Sequence, residues 1–270
     1  MQPFVKWAGG KKQLLTILTA NMPKQYNRYY EPFVGGGALL LNIRPNSPVI
    51  NDINKSLINT YTCIRDYPDK VISIINQWDQ SIIQNSKNIY YEARNIFNTK
   101  LINNEYDVEL AGLFIFLNKH CFNGLFRVNK KGLFNVPYNN STKNSIIEDN
   151  IYKISAYLKN VIIYCDDFIN ITKQVQKDDF IFFDSPYDEL SAMTFNSYTK
   201  DGFLEDDHIR LANEFKRLSS IGAYCILTNH NTELINNLYS GFSIQTVSVK
   251  RSINRNGNNR TGEEVIIKNF

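Results

Sequence analysis

The feature that most constrains the fold of this 270-residue chain is a series of short β-type runs separated by helical stretches. Apolar runs of this kind are typical of buried strands in a parallel sheet that helices cover on both faces. The run at 161–164 in particular has the pattern of a buried strand. The strand candidates are residues 29–34, 49–52, 161–164, 180–184, 223–228, 244–249 and 264–268. The sequence therefore predicts an α/β protein with a mostly parallel sheet.

The middle of the chain interrupts this alternation. Apolar residues recur at helical spacing through 54–117, and residues 118–147 are irregular, basic and rich in glycine, asparagine and aromatic residues. Another helix is predicted near 204–219. We predict a discontinuous sheet domain of residues 1–56 and 155–270. Residues 57–154 would form an inserted, mainly helical domain, to which the family resemblance described below adds a hairpin near 118–140.

Composition excludes several protein classes. The four cysteines, Cys63, Cys121, Cys165 and Cys225, are too far apart for a CxxC pair, which argues against a zinc ribbon and a disulfide scaffold. No uninterrupted apolar stretch reaches about 18 residues, and none follows Met1, so we expect neither a membrane span nor a signal peptide. We expect a soluble protein of a reducing compartment, the cytoplasm.

The charge is small but unevenly placed. The net charge is +4, yet residues 1–30, 118–147 and 249–260 contain five, five and four basic residues and no acidic residue. The charges of these three segments sum to +14, so the rest of the chain carries a net charge of −10. One such run is usually a solvated face, but three that converge would attract phosphates and release counterions. The distribution favours a polyanionic partner.

A glycine-rich turn follows the first strand candidate. Gly35-Gly36-Gly37 precede a helix that begins at Ala38, and Asp52 lies 17 residues after Gly35 at the tip of the next strand. Glycine lets a backbone approach a ligand closely, and an acid near this offset can bind ribose hydroxyls. The pattern favours a nucleoside-containing cofactor over a purely structural loop. The spacing differs from G-x-G-x-x-G, which counts against a dinucleotide enzyme.

A second motif, Asp184-Ser185-Pro186-Tyr187, follows the run at 180–183. A carboxylate at the end of a buried parallel strand faces the crevice where α/β sheets bind ligands. Asp184 and the Ser185 carbonyl can each accept a hydrogen bond from an amino group, and Tyr187 can stack on a planar base. A plain strand exit would not explain the proline and the aromatic residue, so we predict a site for the exocyclic amine of a flipped nucleobase.

Together with other motifs, these segments resemble the Dam family of DNA adenine N6-methyltransferases. The resemblance runs in order from residue 4 to about residue 265. Its motifs are Phe4-Val5-Lys6-Trp7-Ala8-Gly9-Gly10-Lys11, Glu31-Pro32-Phe33-Val34-Gly35-Gly36-Gly37, Asn51-Asp52-Ile53-Asn54, Asn123-Gly124-Leu125-Phe126-Arg127, Phe134-Asn135-Val136-Pro137, Asp184-Ser185-Pro186-Tyr187, Thr228-Asn229-His230, Lys250-Arg251-Ser252-Ile253 and Asn256-Gly257-Asn258. The chain departs from the family at Ser185, where the family usually has proline.

The resemblance implies a Rossmann-like class I methyltransferase sheet with an inserted DNA-recognition domain. It implies methyl transfer from S-adenosylmethionine to adenine N6, in GATC, by base flipping. The implied catalytic residues are Asp184, Ser185, Pro186 and Tyr187. The implied cofactor residues are Trp7, Lys11, Phe33, Gly35, Gly37, Asp52, Asp167, Phe168 and Asp184. The implied DNA-binding residues are Lys6, Asn123, Leu125, Arg127, Pro137, Lys250 and Arg251.

Within that set, Arg127 would contact a guanine, Leu125 and Pro137 would lie near thymine, and Lys6 would contact the first guanine. The physical chemistry agrees, because arginine pairs with guanine O6 and N7 and apolar groups suit the thymine methyl. An ordinary packed hairpin is the alternative interpretation of 118–140. No metal is expected. The expected partner is double-stranded DNA, bound by a monomer that either accompanies a restriction endonuclease or acts alone.

Two other functions fit parts of the pattern. An acid-x-Pro-Tyr motif also suits methylation of RNA or of a protein amide, although the basic segments argue against a protein substrate. The second alternative is a catalytically silent DNA-binding regulator. The intact Asp184 and the intact glycine turn argue against it. We interpret His120 and His208 as surface or polar-contact residues and His230 as a support for the pocket. No carboxylate–His–Ser set indicates a hydrolase.

Overall fold

A seven-stranded sheet organises the structure, a computed structural model that describes residues 1–7, 11–188, 202–250 and 261–270. The side chains of Lys12, Lys250 and Thr261 also lie outside this description. Of the family motifs, Ala8-Gly9-Gly10 and the residues from Arg251 to Asn258 lie entirely outside the described residues. The strands are β1 Tyr29–Glu31, β2 Val49–Asn51, β3 Ile162–Tyr164, β4 Phe180–Phe183, β5 Tyr224–His230, β6 Ser243–Lys250 and β7 Thr261–Lys268.

The strand order is β3-β2-β1-β4-β5-β7-β6. Strands β1 to β5 run parallel, and β7 lies antiparallel to both β5 and β6. The predicted mostly parallel α/β sheet is therefore confirmed. Its topology is consistent with the class I methyltransferase fold that the resemblance implies.

Ten α-helices accompany the sheet in the described part of the chain. They are α1 Leu15–Asn21, α2 Ala38–Ile43, α3 Lys55–Asp66, α4 Pro68–Gln84, α5 Ser86–Asn103, α6 Val108–His120, α7 Glu148–Leu158, α8 Phe168–Thr172, α9 Glu205–Ser220 and α10 Glu233–Leu238. The predicted helix near 204–219 corresponds to α9. None of these helices is both long and apolar enough to cross a membrane.

Alternate residues of each strand pack into two separate apolar clusters, one on each face of the sheet. In β4, Phe180 and Phe182 join the cluster formed with α2 to α7, whereas Ile181 and Phe183 join the cluster formed with α8, α9 and α10. All four side chains are buried, and each contributes about 1.5–3 kcal/mol of burial free energy. Both faces of the sheet are thus covered, which explains why β4 is apolar throughout.

The predicted burial of the 161–164 run is wrong. The strand forms, but β3 lies at the edge of the sheet, where only β2 pairs with it. Ile162 and Tyr164 are 41% and 38% exposed. An apolar run indicates a strand, but it does not reveal whether that strand has neighbours on both sides.

Helices α3 to α7 all lie between β2 and β3 in the chain. Their buried residues belong to the same cluster as one face of the sheet, so apolar packing is continuous between the two regions. After α6, two antiparallel bridges, Cys121 with Tyr138 and Val128 with Phe134, give residues 121–138 the form of a hairpin.

The strand order reverses between β1 and β4. From β1 the chain proceeds outward to β2 and β3, and from β4 it proceeds in the other direction to β5. A crevice opens at the carboxyl ends of the strands at such a switch point, and ligands bind there in open α/β sheets. The two motifs singled out by the sequence, after β1 and after β4, therefore flank one crevice.

Candidate active site

The turn after β1 requires glycine at two positions. Gly35 has φ +48° and Gly37 has φ +67°, a left-handed conformation that other residues rarely adopt. A β-carbon on Gly35 would lie 2.7 Å from the Trp7 ring, and one on Gly37 would lie 2.6 Å from the Tyr61 hydroxyl. The Tyr61 hydroxyl donates a hydrogen bond of 3.0 Å to the Gly35 carbonyl. The turn is therefore held against α3 and Trp7.

Asp52 lies directly beside this turn. Its carboxylate accepts hydrogen bonds from the Gly35 N–H at 3.1 Å and the Asn54 N–H at 2.9 Å. Burial raises the pKa of Asp52 to about 6, although both N–H groups favour the charged form. Asp52 is thus a carboxylate at neutral pH, and it can accept further hydrogen bonds at the edge of the crevice.

Asn51 connects the ends of three strands. Its amide donates to the Pro32 carbonyl at 3.0 Å and to the Asp166 carbonyl at 2.9 Å, and its oxygen accepts from the Asp166 N–H at 2.8 Å. These bonds join the loops that follow β1, β2 and β3. The Asn-Asp pair at the end of β2 therefore has two separate tasks, one inside the scaffold and one beside the crevice.

A cluster of three phenylalanine rings lies next to these loops. Phe33 packs against Phe168 and Phe203, with ring centroids 5.2 and 5.9 Å apart. The neighbouring Asp167 caps α8 through the Ile169 N–H and forms an ion pair of 2.9 Å with Arg210. The carboxylate of Asp167 thus links the start of α8 to α9.

Asp184 directly follows β4, one of the two strands at the switch point. The ammonium of Lys11 is 2.7 Å from its Oδ1, and the Thr228 hydroxyl donates to the same oxygen at 2.8 Å. Lys11 is buried, and its Nζ also lies 4.5 Å from the centroid of the Tyr187 ring. The sequence-predicted Lys11 thus contacts the carboxylate and the aromatic residue of the second motif.

Strands β5 and β7 fix the segment that follows Asp184. The Asp188 N–H donates to Asn229 Oδ1 at 2.8 Å, and the Tyr187 hydroxyl donates to Glu264 Oε2 at 2.8 Å. The ring of His230 packs edge-on against that of Tyr187, with centroids 4.8 Å apart and an interplanar angle of 76°. His230 thus supports the pocket, as predicted.

Two polar groups near this segment are buried among the described residues without a hydrogen-bond partner. They are the hydroxyl of Ser185 and the amide nitrogen of Asn229, in side chains that are 2% and 0% exposed. The hydroxyl that distinguishes this chain from the usual proline is therefore turned into the protein rather than engaged with a visible partner.

A third carboxyl group, Glu31, lies at the end of β1. It is buried, and the Tyr29 hydroxyl donates to it at 2.8 Å. Burial raises the pKa of Glu31 to about 8, and the negative charge of Asp184 acts in the same direction. Glu31 is therefore mainly protonated at neutral pH, which avoids a second buried negative charge close to Asp184.

The hairpin at 121–138 presents alternating faces. Phe126, Val128 and Phe134 are buried, whereas Arg127 and Pro137 are exposed. Asn123 is exposed as well, and Leu125 is half-buried. The Arg127 Nε–H donates to Asn135 Oδ1 on the opposite strand at 2.9 Å, which orients the guanidinium.

The N-terminal segment connects the hairpin to the crevice. Trp7 stacks on Phe126, with centroids 5.8 Å apart and an interplanar angle of 14°, and it also contacts Gly35. Asn118 accepts from the Lys6 N–H at 2.7 Å and donates to the Lys6 and Gly124 carbonyls at 2.8 and 3.0 Å. The basic segment at 1–30 and that at 118–147 thus meet in space.

Comparison with known proteins agrees with this geometry. Residues 7–253 match the family model of D12 class N6 adenine-specific DNA methyltransferases. The chain belongs to this family. It is 39% identical to type II methyltransferase M.MjaIII of Methanocaldococcus jannaschii, with 100% of the chain and 99% of the relative aligned. It is 32% identical to a DNA adenine methylase of Vibrio cholerae, over 99% of the chain and 95% of the relative. It is 34% identical to the Retron Ec67 DNA adenine methylase of Escherichia coli, over 98% of the chain and 90% of the relative.

The protein is therefore an adenine-specific DNA methyltransferase, as the resemblance implied. In this methyltransferase, the structure brings most of the sequence-predicted residues to one crevice or to the adjoining hairpin. Arg251 and the side chain of Lys250 lie outside the described residues. His120 and His208 were predicted to be surface or polar-contact residues, and both are buried rather than at the surface. His120 contacts Asp79 and Ser145, which makes it a polar-contact residue.

Sequence reasoning missed several residues of the methyltransferase site as contributors. Thr228 and Asn229 belong to one of the family motifs, but nothing in the sequence indicated that they form hydrogen bonds with Asp184 and Asp188. Tyr61 is one of many apolar positions on α3 and carries no signal of its own. Glu264 fell within a strand candidate, and its contact with Tyr187 spans 77 residues of sequence.

Proposed function

We propose that this DNA adenine methyltransferase transfers the methyl group of S-adenosylmethionine to N6 of adenine in GATC after flipping the base out of the duplex. The observation that carries the proposal is that the Gly35 turn, Asp52 and the Asp184–Tyr187 segment all follow neighbouring parallel strands, β1, β2 and β4, at the switch point of the sheet. This arrangement offers a place for a planar base with an amino group beside a place for a nucleoside.

The crevice fits S-adenosylmethionine in its chemistry. Asp52 is a partly buried carboxylate whose oxygens suit ribose hydroxyls, and the Gly35 and Gly37 turn has no room for side chains. Phe33 and Phe168 supply apolar surface suited to the adenine ring of the cofactor. We propose that these residues, with Trp7 and Lys11, hold S-adenosylmethionine. When bound, it would supply an electrophilic methyl group on its sulfonium.

The task of Asp184 follows from the chemistry of the target amine. The lone pair of the adenine amino nitrogen is delocalised into the ring, which makes that nitrogen a poor nucleophile. Asp184 and the Ser185 carbonyl would accept its two N–H groups and draw it toward tetrahedral geometry, which localises the lone pair. Lys11 and Thr228 both hold Oδ1 of Asp184, so the acceptor is oriented before the base arrives.

The hairpin would read the recognition sequence. Extruding a base costs a few kcal/mol, which stacking on Tyr187 offsets. Arg127, oriented by Asn135, would pair with a guanine, and Leu125 and Pro137 would contact a thymine methyl. Lys6 lies against the base of the hairpin, where it would contact the first guanine. Asn123, Lys250 and Arg251 would complete the DNA-binding set.

Expression in cells that lack GATC methylation tests the proposal. The extracted DNA is challenged with one nuclease that cuts only methylated GATC and one that cuts only unmethylated GATC. We expect cleavage by the first and protection from the second. If the DNA is methylated on adenine but the pattern at GATC is unchanged, the proposed sequence is wrong while the family activity stands.

Replacement of Asp52 by alanine tests the cofactor site. The loss of a charged acceptor to a ribose hydroxyl should weaken S-adenosylmethionine binding by about 1.5–3 kcal/mol. Calorimetry measures this binding, and DNA affinity should change little. Asp206→Ala removes an acid at the start of α9 and is the control. Equal cofactor affinity in the Asp52 variant and the parent would remove Asp52 from the site.

The relatives do not support the other functions considered. The matched family methylates adenine in DNA, which argues against RNA or a protein amide as the substrate and against a silent regulator. Relatives of both kinds, a type II methyltransferase and DNA adenine methylases, align along nearly the whole chain. A search of the flanking DNA for an endonuclease reading frame distinguishes a restriction-modification role from a solitary one.

A further inference from the structure

We propose that Glu264, on the C-terminal strand β7, is a positioning residue that holds the Tyr187 ring in place for the target base. The inference rests on the proposed function, because it assumes that Tyr187 receives a flipped adenine. It adds a residue from outside the motifs that carried the family resemblance.

The contact is made across the antiparallel part of the sheet. Strand β7 pairs with β5 in a register that places Glu264 opposite His230. Opposed residues of neighbouring strands project from the same face. Glu264 Oε2 accepts the hydrogen bond of the Tyr187 hydroxyl at 2.8 Å, and the His230 ring packs edge-on against the Tyr187 ring. The two side chains thus form one support for Tyr187.

The two contacts restrain different rotations of the tyrosine. A hydrogen bond at the hydroxyl fixes the direction of the long axis of the ring but leaves the ring free to turn about that axis. The edge-on His230 ring and the Lys11 ammonium, 4.5 Å from the centroid, restrict that second rotation. Without Glu264 the axis is held less firmly, because only the Thr228 side chain then contacts the hydroxyl among the described residues, and the Asn229 bond at Asp188 restrains the main chain.

The hydroxyl remains a donor at neutral pH. Burial, together with the charges of Asp184 and Glu264, raises the pKa of Tyr187 well above its usual value. The charged acceptor makes the bond stronger than one between neutral groups. A ring held in this way keeps its orientation before the base arrives, which reduces the ordering that stacking requires.

The experiment uses the full-length enzyme, S-adenosylmethionine and a GATC duplex with 2-aminopurine in place of the target adenine for binding, or adenine for turnover. Glu264→Ala and Tyr187→Phe each remove the same hydrogen bond, and Glu264→Gln retains an acceptor. Glu263→Gln is the matched control, since the neighbouring Glu263 is exposed and pairs with Asn231 at 2.8 Å. Melting temperature and cofactor affinity are measured for every variant.

We expect Glu264→Ala and Tyr187→Phe each to lower kcat about tenfold, and the double variant to be no slower than either. Weaker stacking should make 2-aminopurine fluorescence in the complex brighter than in the wild type, with melting temperature and cofactor affinity unchanged. Glu264→Gln should recover most of the turnover, and Glu263→Gln should match the wild type.

Wild-type turnover in Glu264→Ala, or losses that add in the double variant, would overturn the proposal. If Glu264→Ala does not fold, Tyr187→Phe decides, because wild-type kcat in that variant also refutes the role of the bond. Failure of the proposed function looks different. In that case the wild type itself neither methylates the GATC duplex nor changes the fluorescence of the 2-aminopurine duplex.

Discussion

At the residue scale, Ser185 shows how a departure from a family motif can be interpreted from its surroundings. Its hydroxyl is buried without a hydrogen-bond partner among the described residues, and such a group costs stability. The task that we propose for residue 185 is performed by its backbone carbonyl, which every residue has. We therefore expect the hydroxyl to be a tolerated variation with no role in the reaction.

Ser185→Pro should keep sequence specificity and near-normal turnover. Since Ser185 precedes Pro186, its backbone is already biased toward the extended region, and proline would further restrict the unfolded chain. We expect an equal or higher melting temperature, with a gain of about 0.4–1 kcal/mol. A large fall in turnover with fold and cofactor affinity intact would show that the hydroxyl or the N–H of residue 185 takes part in the site.

Glu31 gives the stability a specific pH dependence. Its pKa is about 8 in the folded protein and has an ordinary value of 4.5 when the carboxyl is exposed. Between these values the unfolded chain releases a proton that the folded protein retains. The free energy of unfolding therefore loses a contribution as pH rises from about 4.5 to about 8.

Glu31→Gln should remove this contribution while keeping an acceptor for the Tyr29 hydroxyl. The variant and the parent should be similarly stable near pH 4.5, and at pH 8 the variant should be more stable by up to about 4 kcal/mol. Urea unfolding at several pH values measures the difference. Parallel curves for the two proteins across this range would show that Glu31 ionises in the folded protein as it does in water.

At the scale of the element, the hairpin separates packing from the proposed DNA contact by simple alternation. Phe126 and Val128 point into the core, and Arg127 between them is exposed. The aromatic-rich, acid-free composition predicted a surface for bases, but only the register of the bridges shows which residues face outward. Asn135, which orients Arg127, lies on the opposite strand, so its role depends on that register.

Arg127→Ala should relax specificity at one guanine by about 1–3 kcal/mol. Methylation should spread to sites altered at that base pair, which sequencing of methylated DNA detects. Lys250→Ala is the contrasting variant. Loss of a phosphate contact should weaken binding to all DNA sequences and lower the slope of the salt dependence by about one. Uniform loss of activity in the Arg127 variant, with unchanged site preference, would refute the reader role.

At the scale of the whole molecule, the sequence predicted what local patterns encode. Apolar runs predicted the strands, and the polar or glycine residues after them predicted the loops at the switch point. Contacts between distant segments were not accessible in the same way. Lys11 with Asp184 and Glu264 with Tyr187 depend on strand order and on an antiparallel register, which no local pattern contains. The edge position of β3 was missed for the same reason.

The arrangement also explains how sequence reading and methyl transfer can belong to one structure. Trp7 stacks on Phe126 of the hairpin and contacts Gly35 of the turn, and Lys11, four residues later, pairs with Asp184. The N-terminal segment thus contacts the hairpin, the glycine turn and Asp184. We propose that the site acts through Asp184 as the acceptor for the adenine amine.

Single-turnover methyl transfer to a GATC duplex by Asp184 variants tests this role of Asp184. Asp184→Ala should abolish transfer, and Asp184→Asn, which keeps an oxygen for Lys11 and Thr228, should lower the rate about 100-fold or more. S-adenosylmethionine affinity should remain close to that of the wild type in both, because Asp184 acts on the amine in the transition state. If either variant keeps about a tenth or more of wild-type turnover, Asp184 is not the catalytic acceptor.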